Sequence, residues 1–563
     1  MEHLRQTDLT RSTRPFPGFL GRLLHSFSAA GLLVGVLFFA VSLTPSLIPR
    51  PSLIQGIISG VSLAAGYAIG VLLRWLWAFF ELREPTARRE RTLKIAATIV
   101  CIAAAAVFLW QTAGWQNTVR DIMGLEPIDG AEPVTLGLVA VLVFLALVFL
   151  ARLFRLTFRA FSRWLERCLT RPIARAIGGL AAIALFWSVA NGVVFKLALR
   201  AADSSFRTLD ALVDPDVAPP TDPRKTGSEA SLLSWDELGR QGRHFVASAP
   251  SGADIGAFFG ASAPDPLRVY VGLNSAETAR DRARLALEEL KRAGGFERSA
   301  LVIVVPTGTG WVDPAALDTL EYLLHGDVAS VAVQYSYLTS WLSLLVEPGY
   351  GADTAKALFD EIYGYWTTLP RNARPKLYLH GLSLGAMNSQ ASVDLFDVIS
   401  DPFQGALWSG PPFQSELWRS VTADRVAGSP EWLPRFRDSS IIRFTHQQNA
   451  LDVPGADWGA MRIVYLQYAS DPVTFFDPRA FYREPDWMKA PRGPDVSPAL
   501  SWFPVVTGLQ LLADMALATT SPIGYGHVYA PEHYIDAWLA VVDPQGVTAA
   551  DVARLKARLS AVE

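Results

Sequence analysis

The sequence predicts an α-helical transmembrane domain of about five spans followed by an α/β domain with a mainly parallel sheet. Three observations carry that prediction. Five stretches within the first two hundred residues are long and apolar enough to cross a bilayer as helices. A polar, proline-rich segment follows them. Beyond residue 265, short apolar runs alternate with amphipathic helical patterns, the signature of a parallel sheet covered by helices. Composition agrees: 563 residues with 50% hydrophobic content and a mean hydropathy of +0.24 are too many for one compact domain and too apolar for an ordinary soluble one.

The five stretches cover residues 26–48, 53–73, 93–113, 134–151 and 177–199. The first follows a polar leader without a small-residue cleavage site, so it reads as a retained anchor. Basic residues alternate between the flanks. Arg5, Arg11, Arg14 and Arg22 precede the first span, six basic residues from Arg74 to Lys94 lie between the second and third, and seven arginines from Arg152 to Arg175 lie between the fourth and fifth. The other loops hold only Arg50 and Arg120. By the positive-inside rule the N-terminus is cytoplasmic, and an odd number of spans delivers everything after residue 200 to the other side. In the 152–175 segment arginines recur every three or four residues with Phe154, Phe158, Phe161, Trp164 and Leu165 between them. That pattern reads as an amphipathic helix at the interface, a topology determinant or a docking face for anionic headgroups.

Residues 201–230, with Asp214, Pro215, Pro219, Pro220 and Pro223, read as a linker. The expected organisation is therefore a transmembrane helical domain over 1–200, the linker, and a catalytic domain over 231–563. The formal net charge is −3 and no basic cluster is interleaved with aromatics outside the membrane-flanking segments, so no nucleic-acid partner is expected. Cys101 and Cys168 are the only cysteines, which excludes a disulfide framework or a cysteine zinc site after residue 200. No H-E-x-x-H occurs, and no cofactor and no metal is expected.

In the second half, strands are expected near 268–273, 300–305, 328–335, 376–380, 404–409 and 462–469, and helices near 275–293, 313–324, 353–367 and 385–399. Active groups of such sheets gather at the carboxyl ends of the strands. There the sequence places Gly381-Leu382-Ser383-Leu384-Gly385, a G-x-S-x-G between a strand and a helix. The flanking glycines let strand and helix approach, so a serine can be held in a strained turn with its hydroxyl exposed. Asp471 lies just past the strand ending at Ala469, and His527 sits in Gly524-Tyr525-Gly526-His527 ahead of a helical stretch from Pro531 to Leu539. Of eight histidines, only His527 and His533 follow Asp471.

These residue types suit one chemistry. A serine hydroxyl becomes a nucleophile when an imidazole takes its proton, and the imidazole needs a carboxylate to fix its tautomer and stabilise its charged form. Ser383, Asp471 and His527 are the catalytic candidates, with His533 the alternative base and His380, held in the strand beside the nucleophile, a packing residue. The backbone N–H of Leu384 is one oxyanion donor. A second is expected from the glycine-rich loop 306–311, at Thr307 or Gly308. That loop lacks the Lys-Ser/Thr of a phosphate-binding loop. Between Gly410 and Ile463 an aromatic insertion with Phe413, Trp418, Trp432, Phe436 and Trp458 is either a lid over an acyl pocket or ordinary core.

The elbow at His380–Gly385, Asp471 after its strand and Gly526-His527 near the end resemble the α/β-hydrolase superfamily over about residues 265–545. With its multi-span N-terminus, the whole chain resembles a bacterial family of membrane-anchored α/β-hydrolases. The resemblance implies a serine esterase or lipase-like enzyme in the bacterial inner or plasma membrane, with its catalytic domain extracytoplasmic, the bilayer as its partner and a membrane lipid or lipid-linked ester as substrate. An acyltransferase using the same triad toward an envelope acceptor, and a non-catalytic membrane scaffold, are the alternatives. Two features depart from the superfamily pattern. No clear strand separates Asp471 from His527, where a helical stretch near 502–518 stands, and a strand-helix unit at 268–293 replaces the usual opening antiparallel strands.

Overall fold

The structure, a computed structural model, describes residues 27–83, 86–130, 132–195, 210, 214, 216–338 and 348–561. The chain divides into two compact units: one is formed by residues up to Thr44 with Pro51–Ala113 and Asp129–Leu150, the other by Pro45–Arg50, Gly114–Ile128 and Ala151 onward. The units therefore do not follow a single cut near residue 200.

In the first unit, helix Ala29–Ser42 runs back along Ser52–Phe79. Small residues at the contact let the two helix backbones approach closely. Both carry glycines four apart. A Cβ at Gly70 would lie 2.5 Å from Ala30 O, and one at Gly35 would lie 2.8 Å from Leu63 O. A second such pair, Gly56 and Gly60, receives the helix Pro133–Leu165: a Cβ at Gly60 would lie 2.6 Å from Ala140 O. Ser42 Oγ donates to Ser59 Oγ, and Gln55 Nε2 donates to Ser59 Oγ and to the Ser42 carbonyl, so these three side chains satisfy one another inside the pair.

Among the described residues three helices are long and apolar enough to cross a membrane: Ser52–Phe79, Arg88–Ile122 and Pro133–Leu165. That corrects the expectation of about five. The first expected span, 26–48, forms only the 14-residue helix Ala29–Ser42, about 21 Å at 1.5 Å per residue. It ends before Pro45 and Pro49, which cannot continue a helix. The fifth, 177–199, starts earlier, at Arg171, and its 17 α-helical residues end at Trp187 before a π-helical stretch over Ser188–Phe195. Residues 196–199 of that expected span, and 201–209 of the expected linker, lie outside the described residues. The fourth span and the first part of the arginine-rich segment, through Arg163, form one continuous helix, Pro133–Leu165, whereas Arg171 and Arg175 lie on the next helix, Arg171–Trp187.

The second unit is built on a seven-stranded, wholly parallel sheet. Its strands are β1 (Leu267–Val271), β2 (Ala300–Val305), β3 (Val328–Val333), β4 (Lys376–Leu382), β5 (Gly405–Ser409), β6 (Ile442–Thr445) and β7 (Arg462–Leu466), in the order β1-β3-β2-β4-β5-β7-β6. Six of the seven fall where apolar runs place them. β6 lies inside the aromatic insertion and was not expected. Strands β1, β2, β3 and β5 are buried along their whole length, which is why they read as unbroken apolar runs. Helices Ala279–Arg292, Pro314–Leu323 and Pro348–Thr368 make the crossovers among the first four strands. The expected helix 385–399 is two pieces, Leu384–Ala391 and Leu395–Val398. The insertion is core rather than lid: Trp418 Nε1 donates to Gln467 Oε1 at 2.7 Å, and Trp432 Nε1 to Pro491 O at 2.9 Å.

Between Asp471 and His527 the chain makes no strand among the described residues and instead forms helix Val506–Ala516. Asp514 on this helix is fully buried and accepts from Ser46 Oγ, from Leu47 N at 3.1 Å and from Arg50 Nε at 2.9 Å, all within the second unit. Burial pushes its carboxyl above the ordinary range, and Arg50 works against that push. A buried pair is costly to break from one side, because the surviving charge has no partner. Asp514→Ala is therefore expected to destabilise the second unit by about 3–5 kcal/mol, read as a lowered melting temperature in detergent. An unchanged melting temperature would show that the pair contributes nothing.

Candidate active site

β4 delivers Ser383 into a turn that L-residues avoid. Its φ is 58° and ψ −125°, a strain of order 1–3 kcal/mol that persists only where the surroundings impose it. Here they do. Ser383 N donates to Ser409 O at the end of β5 (2.9 Å). A Cβ at Gly381 would lie 2.4 Å from Gly385 C and O, and one at Gly385 would lie 2.1 Å from Val305 O. Strand, turn and helix fit only because both flanking residues are glycines. The helix Leu384–Ala391 starts at once, so the Leu384 amide sits at a helix N-terminus with no acceptor inside the helix.

Asp471 follows β7 and is fully buried. Its Oδ1 accepts from Val473 N (2.8 Å) and Thr474 N (3.4 Å), which fixes the carboxylate as the cap of a short helix. Its Oδ2 accepts from His527 Nδ1 at 2.7 Å and from Tyr529 OH at 2.7 Å, with a longer bond from Thr474 Oγ1 at 3.3 Å. His527 is held by its own backbone, N to Ala518 O at 3.2 Å. With Nδ1 turned to the carboxylate, Nε2 is buried and has no hydrogen-bond partner among the described residues. Gly410, next to the Ser409 that binds the Ser383 amide, makes room for the ring: a Cβ there would lie 2.8 Å from His527 Cε1 and 2.8 Å from Tyr529 OH. The ends of β4, β5 and β7 and the 524–529 loop thus converge on one place.

The other expected residues sort as follows. His533 lies on helix Pro531–Val542 and bonds Tyr468 OH through Nδ1 at 2.6 Å, not Asp471. Burial pulls its pKa down. His380 turns Nδ1 to Leu407 O (2.8 Å) and packs on Tyr534 and Trp538, where burial lowers its pKa to about 4. In the 306–311 loop, Thr307 N donates to Trp311 O at 2.9 Å, so that amide is engaged within the loop. The Val305–Pro306 carbonyls lie against Gly385, which brings the loop carrying Thr307 and Gly308 beside the elbow. Among the described residues no three His, Cys, Asp or Glu side chains gather as a metal would require.

One residue of the site escaped the sequence. Tyr529 shares the Asp471 oxygen with His527, and burial together with that carboxylate raises its hydroxyl well above the ordinary range, so it stays a donor. An aromatic two residues after a histidine reads only as core. No pattern in the sequence marks it.

A family model described as "Alpha/beta-hydrolase family" matches residues 267–555, and one described as "Alpha/beta-hydrolase family N-terminus" matches residues 43–250. No curated protein and no solved structure matches the chain.

Proposed function

The chain belongs to the α/β-hydrolase family, and from that premise we propose that it is a membrane-anchored serine hydrolase, esterase- or lipase-like, acting on a lipid or lipid-linked ester. The observation that carries the proposal is the pairing of His527 Nδ1 with Asp471 while Nε2 stands buried and unbonded, in a site that also presents a serine at φ 58°. In this reading His527 Nε2 takes the Ser383 Oγ proton as Oγ bonds to the ester carbonyl carbon. The oxygen of the tetrahedral intermediate turns toward the Leu384 N–H. The intermediate collapses, the C–O bond to the alcohol breaks, and His527 returns the proton to the leaving oxygen. Water then repeats the sequence on the acyl-enzyme and releases the acid. A second oxyanion donor from Thr307 would have to give up Trp311 O.

The lipid part of the proposal rests on the three helices able to span a membrane. The aromatic insertion no longer supports it, since Trp418 and Trp432 are buried in the core. The arginine asymmetry of the loops supports an extracytoplasmic site on the condition that helix Arg171–Trp187 and the π-helical stretch after it together make a further crossing. The test uses the full-length protein, because Pro45–Arg50 and Gly114–Ile128 are part of the second unit. Reconstituted in phospholipid vesicles, the wild type is expected to release fatty acid from the vesicle lipid, and a fluorophosphonate that cannot cross membranes is expected to label it in intact cells. Hydrolysis of soluble short-chain esters alone would remove the lipid substrate, and labelling only after lysis would place the site in the cytoplasm.

A further inference from the structure

We infer that Asp495 and Ser470 are positioning residues that hold the loop carrying His527 in register with the loop carrying Asp471, an inference that rests on the hydrolase reading of that site. Asp495 is 3% exposed and touches neither the nucleophile nor the base. Its Oδ2 collects three donors: Ser470 N at 2.9 Å, Ser470 Oγ at 2.6 Å and Gln447 Nε2 at 2.9 Å. Ser470 immediately precedes Asp471 in the chain. A hydroxyl has one proton, and here the carboxylate takes it. Ser470 Oγ can then only accept toward its other neighbour, which is the backbone N–H of Gly526 at 3.0 Å.

Gly526 immediately precedes His527. The same carboxylate reaches this loop a second way, since Gln447 Nε2 also donates to Gly524 O at 3.2 Å. The turn between is closed by Gly524 N to Val528 O at 2.8 Å. Gly526 has φ +58°, and a Cβ there would lie 2.3 Å from Ser521 Oγ, so the turn is held tightly from the far side. One buried carboxylate therefore holds the residue before the acid directly and, through Ser470 and Gln447, two points of the loop ahead of the base, the Gly526 N–H and the Gly524 carbonyl. Just past the end of β6, His446 Nδ1 lies 3.2 Å from Gln447 Oε1. Burial keeps its pKa low, so it adds no positive charge at neutral pH to compete for Asp495.

The consequence is geometric. Without the Ser470 hydroxyl, the Gly526 N–H loses its partner and the His527 loop is free to shift against Asp471. A displacement of about 1 Å from productive geometry can cost on the order of 100-fold in rate. The test compares full-length wild type with Ser470→Ala, Asp495→Ala and Asp495→Asn, with active sites counted by a fluorophosphonate, kcat and KM measured on a short-chain nitrophenyl ester, and melting followed in parallel. For Ser470→Ala, kcat per titrated site is expected to fall by roughly 30- to 100-fold with KM unchanged. Asp495→Ala should lose at least as much, and Asp495→Asn, whose amide oxygen can take the same donors, should recover most of it. Should Asp495→Ala not fold, Ser470→Ala carries the test. Wild-type kcat per site in Ser470→Ala, with only the melting temperature lowered, overturns the positioning role and leaves the hydrolase reading standing. A wild type that the probe never labels overturns both.

Discussion

Replacing Ser383 by alanine is expected to lower turnover by roughly six orders of magnitude, the loss that follows removal of a serine nucleophile acting as one unit with its base. Stability should barely change. The strained φ of 58° is imposed by Gly381, Gly385 and the Ser409 carbonyl, and alanine keeps the same Cβ in the same turn. The serine side chain makes no capping bond to the helix that follows it, so no structural hydrogen bond is lost with the hydroxyl. Two measurements on the full-length protein separate the outcomes: hydrolysis of a short-chain ester, and labelling by a fluorophosphonate, each beside a melting curve. Loss of both at an unchanged melting temperature supports the nucleophile. Labelling that survives the substitution places the reactive hydroxyl elsewhere.

The elbow was legible because its demands are local. Two glycines, a preceding apolar strand and a following helix suffice to define it, and the structure puts Ser383 there with the close contacts that the glycines permit. Chain order and the position of Asp471 at a strand end selected the candidate acid and base, and the structure pairs Asp471 with His527. What the sequence could not show is which atoms meet across the fold. Tyr529 and Asp495 look like an ordinary core aromatic and a loop carboxylate until the fold sets them 58 residues from Asp471 and 25 residues from Ser470 in the chain, yet within hydrogen-bond reach. β6 was missed because a four-residue edge strand inside an aromatic insertion offers too short a pattern to separate from loop.

The count of spans went wrong for a different reason. Hydropathy integrates over a window and does not see that prolines stop the first helix at Ser42 or that the last α-helix gives way to a π-helical stretch. The glycine pairs Gly31/Gly35, Gly56/Gly60 and Gly66/Gly70 were visible all along, and their spacing is what close-packed membrane helices require. Read for spacing, they would have foretold the pairing of the first two helices. Hydropathy alone has no term for it.

The choice between two histidines gives the sharpest remaining expectation. Chain order admits His527 and His533 equally, but their hydrogen bonds do not. His533 Nδ1 is engaged by Tyr468 OH at 2.6 Å, a hydroxyl that also accepts from Ala530 N at 3.0 Å, and not by a carboxylate. His533 therefore lacks the carboxylate on Nδ1 that would fix its tautomer and stabilise its charged form. His527 is arranged the opposite way, Nδ1 to Asp471 Oδ2 at 2.7 Å and Nε2 unbonded, so its lone pair is available on the side away from the carboxylate. His527→Ala is therefore expected to cost about as much as Ser383→Ala, roughly six orders of magnitude in turnover. His533→Ala should leave turnover within about tenfold and act mainly on stability, because it strands the Tyr468 hydroxyl in a buried position, a cost of about 1–3 kcal/mol. Rates on a short-chain ester and melting curves for both variants decide it. Wild-type turnover in His527→Ala together with collapse in His533→Ala would transfer the base to His533.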